Sequence, residues 1–247
     1  MQIFPPTLSW DPDSGTQPNI RELFTTENLK KFEKPWSEKR DVAFFRGSAT
    51  GGGVTPETNQ RLKVAELGFL WSQPGSKYAG YLDAGVVKWN LRDKKIAGQK
   101  MTFLRPKELM FKLAPFTPIY EQSTYKYLLY IEGHCAACRY GFMMCLGSVI
   151  LKVDSLCVAD EMWYFPLLRP YHDHVPVKAD FSDLAEQIEW CRANDDKCQE
   201  IAQNARRLYD RYISRDGRDI SVKVLDILLV LSDIHVLKLS LSSCLSI

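Results

Sequence analysis

The feature that most constrains this chain is the stretch 127–154, YLLYIEGHCAACRYGFMMCLGSVILKVD. Residues 127–131 are an unbroken apolar and aromatic run, the pattern of a buried strand. Residues 133–139 form a turn of small residues carrying one arginine. Residues 136–146 are small or apolar almost throughout, as in a buried helix, and Gly147 supplies its stop. Residues 148–153 read as a second strand. Strand, tight turn, helix and strand make a βαβ unit, whose two strands must be parallel. In open α/β sheets the ligand sits beyond the carboxyl ends of the strands, which places 133–139 at a binding crevice. Small residues there let a ligand approach the backbone, a helix N-terminus favours anions, and Arg139 can fork onto a phosphate.

The flanking sequence extends the pattern. Residues 41–45 (DVAFF) read as a strand, followed by the glycine-rich run 46–53, RGSATGGG. Such a loop can cradle an anion with its backbone N–H groups, or it can be a plain surface loop. No Gly-Lys-Ser/Thr follows, so it is not a P-loop. Residues 56–70 look helical, 81–84 resemble a strand end bearing Asp83, and 86–113 show too little periodicity for an assignment. Residues 120–126 suggest a short helix leading into the central strand, and 161–170 packed irregular structure. Residues 174–177 read as a short strand. Ser182 or Asp183 can cap a helix that runs to about Ala193, with Asp183 and Glu186 spaced as a capping box. A second helix from Asp195 carries the stripe Cys198, Ile201, Ala202, Ala205, Leu208, Tyr209 and Tyr212. Strands alternating with helices over 41–212 predict an α/β fold with a mainly parallel sheet.

The 247 residues are enough for a sizeable core. A net charge of +2, with basic and acidic residues interleaved, argues against a dedicated nucleic-acid binder. The first fifteen residues lack the basic start and apolar centre of a signal peptide, which predicts a cytoplasmic protein. The most apolar tail segment, 222–231, is too short to span a bilayer. Seven cysteines without regular spacing fit free thiols. Cys135-x-x-Cys138 lacks a second pair for zinc, and His172-x-His174 lacks a nearby third ligand, so neither predicts a metal.

Several segments, in order, resemble the CAP10 or glycosyltransferase family 90 domain, which includes the protein O-glucosyltransferases. They are Phe45-Arg46-Gly47-Ser48, the lead-in Tyr125-Lys126-Tyr127, the arginine-ended turn 133–139, the GSVILK of 147–152, the FPLLRP of 165–170, and the VPVK of 175–178. The resemblance spans roughly residues 42–216. It implies a GT-B architecture, with this chain as the C-terminal, donor-binding half: a Rossmann-like parallel sheet with flanking helices. On that frame 1–40 is a connector or a remnant of the acceptor domain, 41–216 the nucleotide-sugar domain, and 217–247 an atypical tail.

The implied reaction is transfer of glucose or xylose from UDP-glucose or UDP-xylose to a hydroxyl of a protein or glycan. It proceeds with inversion, and with neither metal nor cofactor beyond the UDP-sugar co-substrate. Arg46 and Arg139 map onto the family's diphosphate-holding arginines. Gly47, Ser48, Gly133, Ala136 and Ala137 map onto the lining of the donor site, and Glu161 stands near the position of a ribose-binding carboxylate. From residue pattern alone, Arg46 and Arg139 serve equally well as structural ion-pair partners. The sequence departs from the family in three ways. A serine common in the second turn is Ala137 here, the usual histidine position holds Asp173, and the aspartate base of the family's N-terminal domain has no match. The catalytic residue is therefore unknown from sequence. Without that base, the chain is a truncated copy of the enzyme, takes the base from a partner, or is a non-catalytic domain that binds a nucleotide or glycan.

Overall fold

The structure is a computed structural model that describes residues 32–134, 137–156 and 161–214. Most of the connector 1–40, the apolar segment 222–231, the tail, Cys135 and Ala136 lie outside these residues.

Five strands form one sheet: β1 (Arg40–Ser48), β2 (Leu82–Lys88), β3 (Tyr125–Tyr130), β4 (Val149–Val153) and β5 (Val175–Val177). They lie in the order β2-β1-β3-β4-β5, and every pairing is parallel. The fold is therefore the Rossmann-like α/β class that the sequence predicts. The helices are α1 (Gln60–Trp71), α2 (Arg139–Met143), α3 (Leu184–Ala193) and α4 (Asp195–Leu208).

Alternation along the strands builds two cores. Ala43 and Phe45 of β1, Tyr127 and Leu129 of β3, and Val149 and Leu151 of β4 pack on one face with Val64 of α1, Ile188 of α3 and Ile201 of α4. Phe44, Leu128, Tyr130 and Ile150 point to the other face and meet Tyr140, Met143 and Met144. Strands covered on both faces explain the near-continuous apolar runs in the sequence.

Three local expectations change. Helix α1 starts at Gln60 rather than residue 56, because the Asn59 side chain accepts the N–H groups of Arg61 (3.0 Å) and Leu62 (3.2 Å) and so fixes the first turn. Helix α2 has five residues where eleven are expected. Its ladder gives way to three-residue bonds, Cys145 N to Phe142 O and Leu146 N to Met143 O, before Gly147 stops it at a φ of +61°. Asp183 does sit at the start of α3, but its carboxylate accepts the N–H of Lys178 at 2.9 Å, so no capping box forms with Glu186.

Candidate functional site

β1 pairs with β2 on one side and with β3 on the other, so the connection from β2 to β3 carries the chain past β1. In this strand order the topological switch point lies between β1 and β3, at their carboxyl ends. A cleft of about 410 Å³ lies there, lined by the β1 loop at Thr50–Gly52, the start of α1 at Asn59 and Gln60, Lys95, and Glu132 and Gly133 beyond β3. The sequence-predicted turn after β3 is therefore at the crevice.

The glycine-rich loop is not an open anion cradle. Four of its N–H groups are donated within the protein: Ala49 to Lys88 O, Thr50 to Ser48 O, Gly51 to His134 Nδ1 and Gly53 to Lys95 O. Nor do the small residues simply make room for a ligand. A Cβ on Gly133 would lie 2.6 Å from Thr50 Oγ1 and 3.2 Å from Arg61 Nη2, and one on Gly47 would lie 3.4 Å from Arg61 Nη1 and 3.5 Å from Arg139 Nη2. The space at Gly133 is taken by Thr50 and then Arg61, and that at Gly47 by the Phe45 ring (3.0 Å) and then the two arginines.

Arg61 is the residue the sequence reading missed. It is 6% exposed and clamps the crevice floor. Its Nε donates to Glu132 O (2.8 Å), Nη2 to Ile131 O (2.9 Å), and Nη1 to Ser48 O (3.1 Å) and Thr50 Oγ1 (2.7 Å). One guanidinium thus ties the end of β1 to the end of β3. An arginine in a mixed amphipathic helix gives no sequence sign of this.

The two arginines that were predicted behave differently. Arg46 turns toward β2: its Nη2 pairs with Asp83 Oδ1 at 2.6 Å, its Nη1 donates to Phe45 O and Asp83 O, and its guanidinium lies over the Phe44 ring. This is the ion-pair alternative, and it also makes Asp83 a paired residue rather than a solvated strand end. Arg139, half-buried at the start of α2, makes one hydrogen bond among the described residues, to Arg46 O at 2.6 Å. Burial lowers its pKa, while nearby Tyr130 and Glu132 favour its charge.

Ser48 ends β1 and Gly47 lies between Arg61 and Arg139. Ala137 is held by Tyr130 and Glu132, and Ala136 lies outside the described residues. Glu161 is exposed, and neither it nor Arg139 is among the residues that line the cleft, Arg139 standing beside it on Gly47 and Arg46 O. Because α2 is so short, its N-terminus adds little to an anion site. The longer α1 begins at the crevice instead.

The surroundings are basic. Lys94 is 1% exposed and donates to Ala49 O at 2.7 Å, beneath the glycine-rich loop. Burial, then the neighbouring Arg92 and Arg61, push its ammonium down to about 8. Burial also lowers the pKa of His134, as do Lys94, Arg92 and Arg61. Cations close enough to repel one another favour an anionic guest. Among the described residues no cluster of His, Cys, Asp and Glu could hold a metal ion, and no helix is long and apolar enough to cross a membrane.

The pattern of glycosyl transferase family 90 matches residues 77–217. The chain belongs to this family. The match contains the turn 133–139 and begins after the Phe45–Ser48 segment. Among family 90 relatives, protein 179R of Invertebrate iridescent virus 6 is 43% identical over 197 residues, covering 75% of this chain and 16% of the viral protein. Protein O-glucosyltransferase 1 of Rattus norvegicus is 26% identical over 196 residues, covering 79% of this chain and 43% of the rat protein. The chain therefore spans about a sixth of the viral relative and less than half of the rat enzyme. Among solved structures, Anabaena Alr3699/HepE in complex with UDP-glucose is similar at 14% identity and a TM-score of 0.45, over 86% of this chain and 55% of that one.

Proposed function

We propose that this family 90 chain binds a UDP-sugar, UDP-glucose or UDP-xylose, in the crevice beyond β1 and β3. It serves as the donor-binding half of a GT-B enzyme that moves the sugar, with inversion, to a hydroxyl of a protein or glycan. The observation that carries this reading is Arg139. It stands at the switch point of the sheet, anchored by one hydrogen bond to Arg46 O, with Nε and Nη2 without a hydrogen-bond partner among the described residues. A planar guanidinium so placed suits a diphosphate.

The chemistry follows from charge. As the bond from the anomeric carbon to the diphosphate breaks, negative charge develops on the leaving UDP. A fixed guanidinium and the field of the buried Lys94 stabilise that charge without reorganising. Loss of one such contact costs about 3 kcal/mol, roughly a hundredfold in rate. The acceptor hydroxyl still needs a base. The carboxylate that lines the crevice, Glu132, is engaged with Tyr130 and the backbone of Ala137. Glu132 is therefore not assigned as the base, and the catalytic residue stays unassigned. The second reading, a nucleotide-binding domain without catalysis, is the same site without that base.

The test is calorimetric titration of the chain with UDP, UDP-glucose and UDP-xylose. UDP binding that weakens with salt, and by tenfold or more in Arg139→Ala, is the expected result. Unchanged affinity in Arg139→Ala removes the site assignment, and sugar release on incubation separates the enzyme from the non-catalytic reading.

A further inference from the structure

We infer that Glu132 is a positioning residue for Arg139, acting through its hold on the backbone of Ala137. This deepens the donor-site reading and rests on it. The observation is a buried carboxylate where a surface turn would ordinarily need none. Glu132 is 7% exposed. One of its oxygens accepts the Tyr130 hydroxyl, and the other accepts the N–H of Ala137 at 2.7 Å. The Tyr130 hydroxyl also reaches Ala137 O at 3.1 Å. The Ala137 N–H is thereby held by Glu132, and its carbonyl shares the single Tyr130 hydroxyl proton with that carboxylate.

The Tyr130 ring cannot drift, because it packs edge-on against Tyr140 at 4.7 Å and Phe165 at 5.8 Å between ring centres. Two residues after Ala137, α2 begins with Arg139. The hold on Ala137 therefore fixes where that guanidinium emerges, against Gly47 and onto Arg46 O. On the other limb of the turn, Arg61 fixes the carbonyls of Ile131 and Glu132. Ile131 and Glu132 are thus fixed through their carbonyls and Ala137 through its N–H, and Glu132 supplies the contact on the arginine side. A carboxylate beside a diphosphate site costs affinity by repulsion, so its burial there needs a geometric return.

The experiment measures UDP affinity on the full chain for wild type, Glu132→Ala, Glu132→Gln, Arg139→Ala and the Glu132→Ala/Arg139→Ala pair. Positioning predicts a loss of about tenfold or more in Glu132→Ala, as misplacement of a binding group does. Glutamine keeps an acceptor for the Ala137 N–H and an N–H for the Tyr130 oxygen, so Glu132→Gln stays within about threefold of wild type. The double variant binds no worse than Arg139→Ala, because the two residues act as one unit.

A purely structural carboxylate would give losses that add, and that result overturns the inference. So does an unchanged affinity in Glu132→Ala. If Glu132→Ala fails to fold, Tyr130→Phe releases Ala137 O while keeping the ring, and it must then show the same non-additivity with Arg139→Ala. Wild type that folds but does not bind UDP overturns the donor reading and this inference together. Wild type that binds, with only Arg139→Ala impaired, overturns this inference alone.

Discussion

Arg46, Arg61 and Arg139 carry the same group to three different ends. Arg46 closes an ion pair with Asp83, Arg61 is spent on backbone acceptors and Thr50, and Arg139 makes one hydrogen bond among the described residues, to Arg46 O. The glycines beside them are the sensitive positions. Gly133→Ala places a methyl 2.6 Å from Thr50 Oγ1, so overpacking of about 1–3 kcal/mol is expected in urea unfolding. Thr50→Ala removes the clashing oxygen, and the double variant should lose less than the sum of the two single changes. Strict additivity would show that the clash is absorbed elsewhere. Sequence could place Arg139 because a lone arginine in a small-residue turn after a strand stands out. It could not tell Arg46 from Arg61, because each is defined by partners from distant strands: Asp83 lies 37 residues from Arg46, and Glu132 lies 71 from Arg61.

Helix α1 and its cap bind the crevice together as an element. Asn59 caps α1 while its Nδ2 donates to Thr50 O, and Gln60 reaches Asp154 O and Ala179 O. Asn59→Ala should therefore cost more than an isolated cap, about 2 kcal/mol against a usual ~1, read from the shift in unfolding midpoint. A loss no larger than a simple cap would mean that the loop contact contributes nothing. Arg61→Leu leaves the carbonyls of Ser48, Ile131 and Glu132 without this donor, and a loss of about 3 kcal/mol or more is expected in the same measurement. The extents of α1 and α2 were not legible in sequence. A buried apolar run sets burial rather than helix length, and the side chain that decides where α1 starts takes its second partner from the loop after β1.

At the scale of the molecule, two buried lysines set the response to alkali. Lys39 donates to Ser123 O, Leu146 O and Ser148 Oγ, and burial pushes it down to about 8, as burial does Lys94. Both ordinarily titrate near 10.5, so above pH 8 the unfolded chain holds more protons than the folded one. Stability therefore rises from about pH 8 toward pH 10. The burial cost of the two charges is fully present below pH 8 and relieved above it. Urea midpoints at pH 7.5 and 9.5 check this, and Lys94→Met should flatten the slope; an unchanged slope would remove Lys94 from the account. Buried Tyr127 and Tyr130, whose pKa values are raised by burial, reverse the trend above their ordinary value near 10. What the sequence determined by itself was the parallel α/β framework, the crossover around 127–153, the Gly147 stop and the turn bearing Arg139. These follow from local periodicity and from backbone rules acting over a few residues. Only the tertiary structure decided which partners each arginine takes, that most N–H groups of the glycine-rich loop are already bonded, and that a buried Glu132 holds the N–H of Ala137. Those outcomes depend on side chains meeting across strands that are far apart in sequence, where spacing carries no record of the contact.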